Sequence, residues 1–577
     1  MKIKKFPIVN LILIALTLVS SVKVAMCGWI IDEGYAFAIG NRLLQGDLLF
    51  RDMWELHQTS GFAVEFFLWI YRNLTGTNDG EILFVRICGI LLHLLVSAVF
   101  YLTLKKHTSP GNAFILAVIF ANLSPKQTST PEFSNLFNLT SLMTLVCIDA
   151  LDFAGKNMSR PHNDGQTEPD TQKPGNLHGI CKPGARRVVI LSVLAGVFLS
   201  LCVLSYPQSV IFALFVFIYL FVKRKQNRAA FPIVFSVCLL SGLAYLGHIL
   251  TYMSFSSLIE TAEKMIYVDS THGEGISKIA LYGKDLLGVL LFSAGFGLVS
   301  FGAGKLFKNK KIIVPVSLLL VFSWKFIHYA FRTDYYPVEL TFGGILFVII
   351  IALVYIVKNI NLTDDMKSML LLYGGGSLAC FVTVLIACDQ SIFSSAKYLT
   401  YGLIVILAVV FEAEGSCKKG VTLLAVVLVI FVNIIQLNNP RNKLFNIFDS
   451  GARVPYGPEK GLVLERIYAN KARIDADELP ELLDQAERVM ITGDAVTYLY
   501  TDARIGHGST IMTEDYGIRF ASYWEMYPEK MPDIIAVECY DGELNSDVEN
   551  SWLYRFASGE FGAKEVVDTT YYRLYIR

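Results

Sequence analysis

The sequence predicts a polytopic α-helical membrane protein that ends in a small exported α/β domain. Three observations predict it. Of 577 residues, 54% are hydrophobic and 17% are charged, against about 25% charged in a soluble domain. Apolar runs approaching the ~20 residues that cross a bilayer recur throughout residues 1–437. Beyond residue 437 the composition changes: residues 438–577 carry 24 acidic against 15 basic side chains, although the whole chain is formally neutral. The apolar content excludes a disordered chain, and the charge balance argues against a broad basic surface for nucleic acid.

The runs predict about thirteen spans: 6–30, 83–104, 111–124, 132–153, 188–205, 208–222, 230–254, 279–304, 312–331, 335–357, 368–388, 392–411 and 420–437. The first lacks a small-residue cleavage site and reads as an uncleaved anchor. Basic residues cluster before the first span (Lys2, Lys4, Lys5), after the second (Lys105, Lys106), in 154–187, after the sixth (Lys223, Arg224, Lys225, Arg228), after the eighth (Lys305, Lys308, Lys310, Lys311) and before the last (Lys418, Lys419). All fall on one side of the alternation, which makes that side cytoplasmic. The expected multi-pass topology in the plasma membrane has a cytoplasmic N-terminus and an extracytoplasmic 438–577. Segment 154–187, polar and rich in Pro, Gly and Asn, reads as a cytoplasmic loop. Five cysteines (Cys88, Cys147, Cys202, Cys238, Cys380) lie inside apolar runs and read as small hydrophobes. No CxxC pair occurs.

The exported loop 31–82 carries the chemistry. Between residues 28 and 82, eight acidic residues face three basic ones. Asp32 and Glu33 come directly after an apolar span. Residues 35–45 have apolar positions at helical spacing, which predicts an amphipathic helix along the interface. Arg51, Asp52, Glu55 and His57 follow, with Trp54 among them. Residues 62–71 are aromatic and too short to span, and are expected flat on the membrane surface. Carboxylates beside lipid have their proton affinity raised by desolvation and by each other, which suits proton removal from an attacking hydroxyl. By the residues alone, acid–base and metal-assisted chemistry both stay open, with His57 able to share a proton or a metal with Glu55.

These residues resemble a known superfamily. DEGY after the first span, then GDLLFRDMWELH and an interfacial aromatic stretch, look like the first periplasmic loop of the GT-C glycosyltransferases, nearest the protein O-mannosyltransferase and lipid A aminoarabinose transferase branch. The resemblance extends over nearly the whole chain. It implies a GT-C membrane domain, a polyprenyl-phosphate-linked sugar as donor, and transfer on the extracytoplasmic face. It assigns the catalytic acid to Asp32, with Glu33 as the second acid of the pair. The later family pattern of an acid near an aromatic, then a basic residue or His, matches Trp54, Glu55 and His57. Gln58, Thr59 and Ser60 stand where Pro is common in the family.

The donor phosphate needs cations at the membrane boundary. Arg332 and Lys397 are the expected suppliers, with Tyr335 and Tyr398 beside them, and Lys397-Tyr398 resembles an Arg-Tyr pair of the family. Glu132 reads as a helix cap rather than a sugar ligand. The exported loop 255–278 is long enough to cover the site. No HExxH or other spaced ligand set appears, so a divalent metal has no support in the motifs. In 438–577, residues 480–487 and 494–499 read as helices, and 488–493, 532–538 and 566–575 as strands, which gives a small α/β unit. No nucleotide motif follows Gly493.

The expected function is transfer of a monosaccharide from a polyprenyl phosphate to a hydroxyl of a cell-envelope glycan, lipid or protein, with inversion and Asp32 as general base. The alternatives are a lipid-linked glycan transporter or flippase, and a glycan polymerase or ligase. A transporter predicts ionisable residues within the spans.

Overall fold

The computed structural model describes residues 8–28, 31–55, 57–123, 129–158, 183–223, 228–269, 275–306, 337–387, 392–413, 451–510, 517–539 and 546–577. The helices are α1 (Ile8–Met26), α2 (Ile31–Leu44), α3 (Gly61–Thr75), α4 (Glu81–Leu104), α5 (Pro110–Ala121), α6 (Phe133–Met158), α7 (Pro183–Ser205), α8 (Val210–Val222), α9 (Ala230–Ile249), α10 (Phe255–Asp269), α11 (Gly275–Leu306), α12 (Pro337–Asn359), α13 (Asp364–Met369), α14 (Gly375–Ala387), α15 (Ile392–Ser395), α16 (Thr400–Ala413), α17 (Arg466–Leu483) and α18 (Gly517–Met526). A π turn, Leu370–Gly374, joins α13 to α14, and a 3-10 turn, Ala396–Leu399, joins α15 to α16.

Among the described residues seven helices are long and apolar enough to cross a membrane, and four shorter apolar helices accompany them. These correspond to eleven of the expected runs; 312–331 and 420–437 lie outside the described residues. The third run proves the short one, a twelve-residue α5 begun by Pro110 and capped by Ser109, whose hydroxyl accepts from Asn112 N at 3.4 Å. Small residues let the helices approach. A Cβ on Gly376 would meet Leu145, one on Gly196 would meet Val237, and one on Gly402 would meet Ser377. The run containing Lys397 is not one continuous helix, because the 3-10 turn interrupts it at that residue.

The bundle has two distinct ends. At one, the α4–α5 turn, α6, α8, α13 and α16 meet through polar contacts: His107 to Asp149 and Asp365, Thr108 to Glu412, and Lys223 to Ser368. Lys105 and Lys106 lie at this far end. At the other end sit α2, α3 and the C-terminal residues.

The C-terminal residues form a two-stranded ribbon, β1 (Gly451–Arg453) with β2 (Val463–Glu465), and a five-stranded sheet. The sheet contains β3 (Arg488–Ile491), β4 (Arg504–Ile505), β5 (Ile534–Glu538), β6 (Glu565–Asp568) and β7 (Tyr572–Ile576), in the order β4-β3-β5-β7-β6. β3 runs parallel to β4 and β5; the β6–β7 hairpin is antiparallel and adds to β5. The four residues of β3 are all buried, three of them the apolar run Val489 to Ile491 and the first Arg488. The expected helix at 480–487 begins much earlier, at Arg466, and ends at Leu483; residues 495–500 form a 3-10 segment capped by Asp494.

This sheet shares its core with the first loop. Ala38 of α2 packs among Leu479, Val489, Tyr498 and Ile534, while Ala36 and Phe37 pack with Val64, Val85, Leu464 and Leu499. The expected interfacial helix at 35–45 is therefore buried between α3 and the sheet. Its apolar residues lie on more than one face, so one-sided contact with lipid would leave part of them in water. α3 takes the surface position instead: Val64 and Leu68 are buried, and Phe62, Phe66 and Trp69 are exposed at i, i+4, i+7. α10, in the expected loop 255–278, sends Met265 into the cluster around Trp54 and Phe520; residues 270–274 lie outside the described residues.

Candidate functional site

Asp32 and Glu33 occupy the first turn of α2, where negative charge is favoured by the helix dipole. Gly28, at a φ of 75° that suits glycine, turns the chain after α1. Asp32 is half-buried and Glu33 is fully buried. Arg86, between one and two turns into α4, grips Glu33 with two parallel hydrogen bonds, Nε to Oε1 at 2.8 Å and Nη2 to Oε2 at 2.7 Å. The same guanidinium donates to the carbonyls of Ala25 and Gly28, both at 3.0 Å. Thr130 Oγ1 also donates to Glu33 Oε1. One arginine thus ties the end of α1, the start of α2 and α4 together, and fixes the backbone that carries Asp32.

Thr130 begins the next part of the site. Glu132 accepts from Ser134 N at 2.8 Å and Asn135 N at 3.1 Å, so its carboxylate caps α6, as its position at a helix start suggests. Phe133 stacks on the His57 imidazole, with centroids 4.1 Å apart, and Tyr206 stacks on it at 5.0 Å. Tyr206 stacks in turn on Phe137, which lies against Tyr398 at 5.2 Å. Tyr398 OH donates to Ser134 Oγ at 2.9 Å. Lys397 is buried, its ammonium 5.4 Å from the centroid of the Tyr398 ring. Segment 130–137 therefore connects the carboxylates at 32–33 to the Lys397-Tyr398 pair and to His57. Arg332 and Tyr335 lie outside the described residues.

The rest of the first loop is held by the C-terminal sheet region. Asp52 forms a buried ion pair with Lys530 at 2.6 Å and accepts from Leu48 N at 2.7 Å. Its carbonyl accepts from Arg42, which also pairs with Asp47 at 2.7 Å. Burial alone would lower the Arg42 proton affinity, but the nearby Asp47 raises it, so the cation is secure. Glu55 Oε1 accepts from both Thr510 N and Thr510 Oγ1, the latter at 2.7 Å. The Trp54 side chain is fully buried, edge-on to Tyr523 at 5.2 Å, and the Trp54 backbone N–H donates to the Gly508 carbonyl. Gly508 is required there: a Cβ would come within 2.8 Å of Tyr523 and 3.2 Å of Trp54. Arg51 is half-buried near Tyr527.

The sequence-predicted residues therefore divide into three settings. Asp32 and Glu33 stand at the α1–α2 turn. His57, Lys397 and Tyr398 meet on the aromatic wall. Arg51, Asp52 and Glu55 face the C-terminal region. The expected sharing between Glu55 and His57 has other geometry, since Glu55 bonds to Thr510 and His57 lies within the ring stack. Among the described residues no group of three or more His, Cys, Asp or Glu stands close enough to hold a metal ion. Arg86, Thr130, Thr510 and Lys530 were not singled out by sequence reasoning. Arg86 alone had a local signal, a charge inside an otherwise apolar span, which is costly unless paired.

No family model matches the chain, and no curated protein matches it in sequence. Solved structures do resemble it. AglB, an archaeal oligosaccharyltransferase from Archaeoglobus fulgidus solved with an inhibitory peptide and a dolichol-phosphate, is 12% identical, with 91% of this chain and 69% of that one covered and a TM-score of 0.43. ArnT from Cupriavidus metallidurans bound to undecaprenyl phosphate is 12% identical, with 98% and 97% covered and a TM-score of 0.42. ArnT in the apo state is 11% identical, with a TM-score of 0.38. At identities near one in eight and TM-scores below 0.5, the chemistry has to come from the residues of this protein.

Proposed function

We propose that the protein is a membrane glycosyltransferase that moves a monosaccharide from a polyprenyl-phosphate donor to a hydroxyl acceptor on the extracytoplasmic face. The observation that carries the reading is the clamped α1–α2 turn. Both oxygens of Glu33 are engaged by Arg86 and Thr130, so Glu33 acts as a positioning residue; Asp32, the acid that the first-loop resemblance marks, acts as the base. The Asp32 carboxylate takes the proton of the acceptor hydroxyl as its oxygen attacks the anomeric carbon. The bond from that carbon to the phosphate oxygen breaks, the polyprenyl phosphate leaves with the electron pair, and the configuration inverts. Lys397 supplies positive charge for the departing phosphate, and a buried cation does this more strongly than a solvated one. Arg332 and Tyr335 complete the phosphate site, and the aromatic wall of His57, Phe133 and Tyr206 offers ring faces to the sugar.

The orientation has its own support. The basic residues Lys105, Lys106 and Lys223 belong to the far end of the bundle, and the acidic C-terminal region to the opposite end, which fits a cytoplasmic far end. Residues 1–437 then form the membrane domain and 438–577 an extracytoplasmic domain that holds the first loop in place. The test is turnover of purified protein with a panel of polyprenyl-phosphate monosaccharides, with the anomeric configuration of the product read by NMR. Transfer with inversion is expected. Retention, or transfer only from nucleotide sugars, overturns the mechanism.

A further inference from the structure

A narrow cleft, about 50 Å³ in volume and open at its mouth, lies between α1, α4, the end of α5 and the start of α6. It belongs to the opposite side of α6 from Lys397 and Tyr398: Asn135 and Leu139 face the cleft, while Ser134 and Phe137 face Tyr398. The cleft is reached past lipid-type surface. Val19 and Val22 on α1, and Ile87 and Leu91 on α4, are exposed large apolar residues that alternate with its lining.

Its wall is mostly apolar with a set of polar groups, and among the described residues it carries no charged side chain. Ser20, His93, Asn122, Ser129, Thr130 and Asn135 supply hydroxyl, imidazole and amide groups. Two of these have polar atoms buried and without a hydrogen-bond partner among the described residues, His93 Nε2 and Ser129 Oγ, and Ser129 as a whole is 8% exposed. The His93 ring stacks on Phe120, with centroids 5.2 Å apart. A neutral imidazole protonated at Nδ1 would offer Nε2 as an acceptor. Buried polar atoms of this kind ordinarily have partners. An acceptor nitrogen next to a serine hydroxyl calls for a ligand that donates, such as an alcohol. Among the described residues a phosphate would meet no cation in this cleft. Thr130 joins this wall to the candidate site, because it also donates to Glu33.

We propose that this cleft binds the neutral, hydroxyl-bearing headgroup of a lipid, entering sideways from the bilayer. On the proposed function above, this lipid is the acceptor: it approaches on one face of α6 while the charged donor occupies the other. The acceptor class is then a glycolipid or lipid alcohol rather than a protein.

The test uses the full-length protein in nanodiscs with three photoactivatable lipids, each with a diazirine in its chain: monoglucosyl diacylglycerol, phosphatidylglycerol and a polyprenyl phosphate. Crosslinked peptides are mapped by mass spectrometry. The neutral glycolipid should label α1 and α4 peptides around the cleft at least about fivefold more than either anionic lipid, the factor that one good hydrogen bond confers. His93→Leu and Ser129→Ala should each lower that labelling by about the same factor, and His93→Gln, which restores an acceptor, should recover most of it. Free glucose at millimolar concentration should not compete, which separates a lipid from a soluble polyol. Equal labelling by the anionic lipids, or full labelling of both His93→Leu and Ser129→Ala, overturns the proposal. If a leucine at 93 prevents folding, Ser129→Ala and the lipid selectivity decide alone. Labelling of Asp32→Asn should equal that of the original protein. Selective labelling with no sugar transfer from any donor would refute the transferase reading and leave the lipid site standing; transfer without selective labelling would do the reverse.

Discussion

Replacing Arg86 by methionine tests the clamp most severely. The methionine fills much of the same volume but removes two bonds to Glu33, at 2.8 and 2.7 Å, and two to the carbonyls of Ala25 and Gly28, at 3.0 Å. Arg86 is 2% exposed and Glu33 1%, so water does not replace the lost partners. Breaking a buried pair by deleting one member costs about 3–5 kcal/mol, because the other charge stays uncompensated. Arg86→Met should lose stability in that range, read by reversible unfolding in mixed micelles. The double variant Arg86→Met/Glu33→Gln should recover at least about 2 kcal/mol of it, since the orphaned charge is then gone. The single variant should also lower kcat more than it raises KM, as Asp32 loses its fixed backbone. A loss below about 1 kcal/mol, or additive effects in the double variant, would refute the clamp.

Three further outcomes follow from the geometry. Lys530→Met should destabilise the protein by about 3 kcal/mol and loosen the first loop, seen as faster hydrogen exchange at 48–55; unchanged exchange would show that the Asp52 pair does not hold that loop. His107 is bonded to Asp149 and Asp365; burial alone would lower its pKa, but these hydrogen bonds raise it from 6.5 to about 9. Its contribution, up to about 3 kcal/mol, should be fully present below pH 6.5 and lost as pH rises through 9. Unfolding measured between pH 6 and pH 10 should show this slope, and His107→Asn should remove it; the same slope in the variant contradicts the assignment. Brominated lipids should quench Trp69 on the exposed face of α3 if that face lies on the membrane, and Phe66→Asp should weaken the quenching; no quenching would place the helix in water.

Much of the fold could be read locally. The spanning helices follow from apolar runs, the α3 surface position from its length and aromatics, and β3, β5 and the terminal hairpin from short apolar stretches between turn residues. The Glu132 cap was visible because it depends on neighbours two and three residues away. What was hidden depends on distant partners. Glu33 is bound by a residue 53 positions later, and Glu55 by one 455 positions later, and no local pattern encodes either contact. For the same reason α2 looks like an interfacial helix in isolation: its second apolar face only makes sense once the C-terminal sheet covers it. His57 looked like an acid–base partner for Glu55 because the two are neighbours in sequence, whereas packing turns one into a ring stack and the other towards Thr510.

The most direct test of the central claim is single-turnover transfer by Asp32→Asn protein loaded with a radiolabelled polyprenyl-phosphate sugar. Asparagine preserves the shape of the side chain but cannot accept the proton. A fall in rate of at least about 10²–10⁴-fold, the usual contribution of a general base, with donor binding and thermal stability unchanged, is the expected result. Transfer within tenfold of the original rate would contradict it.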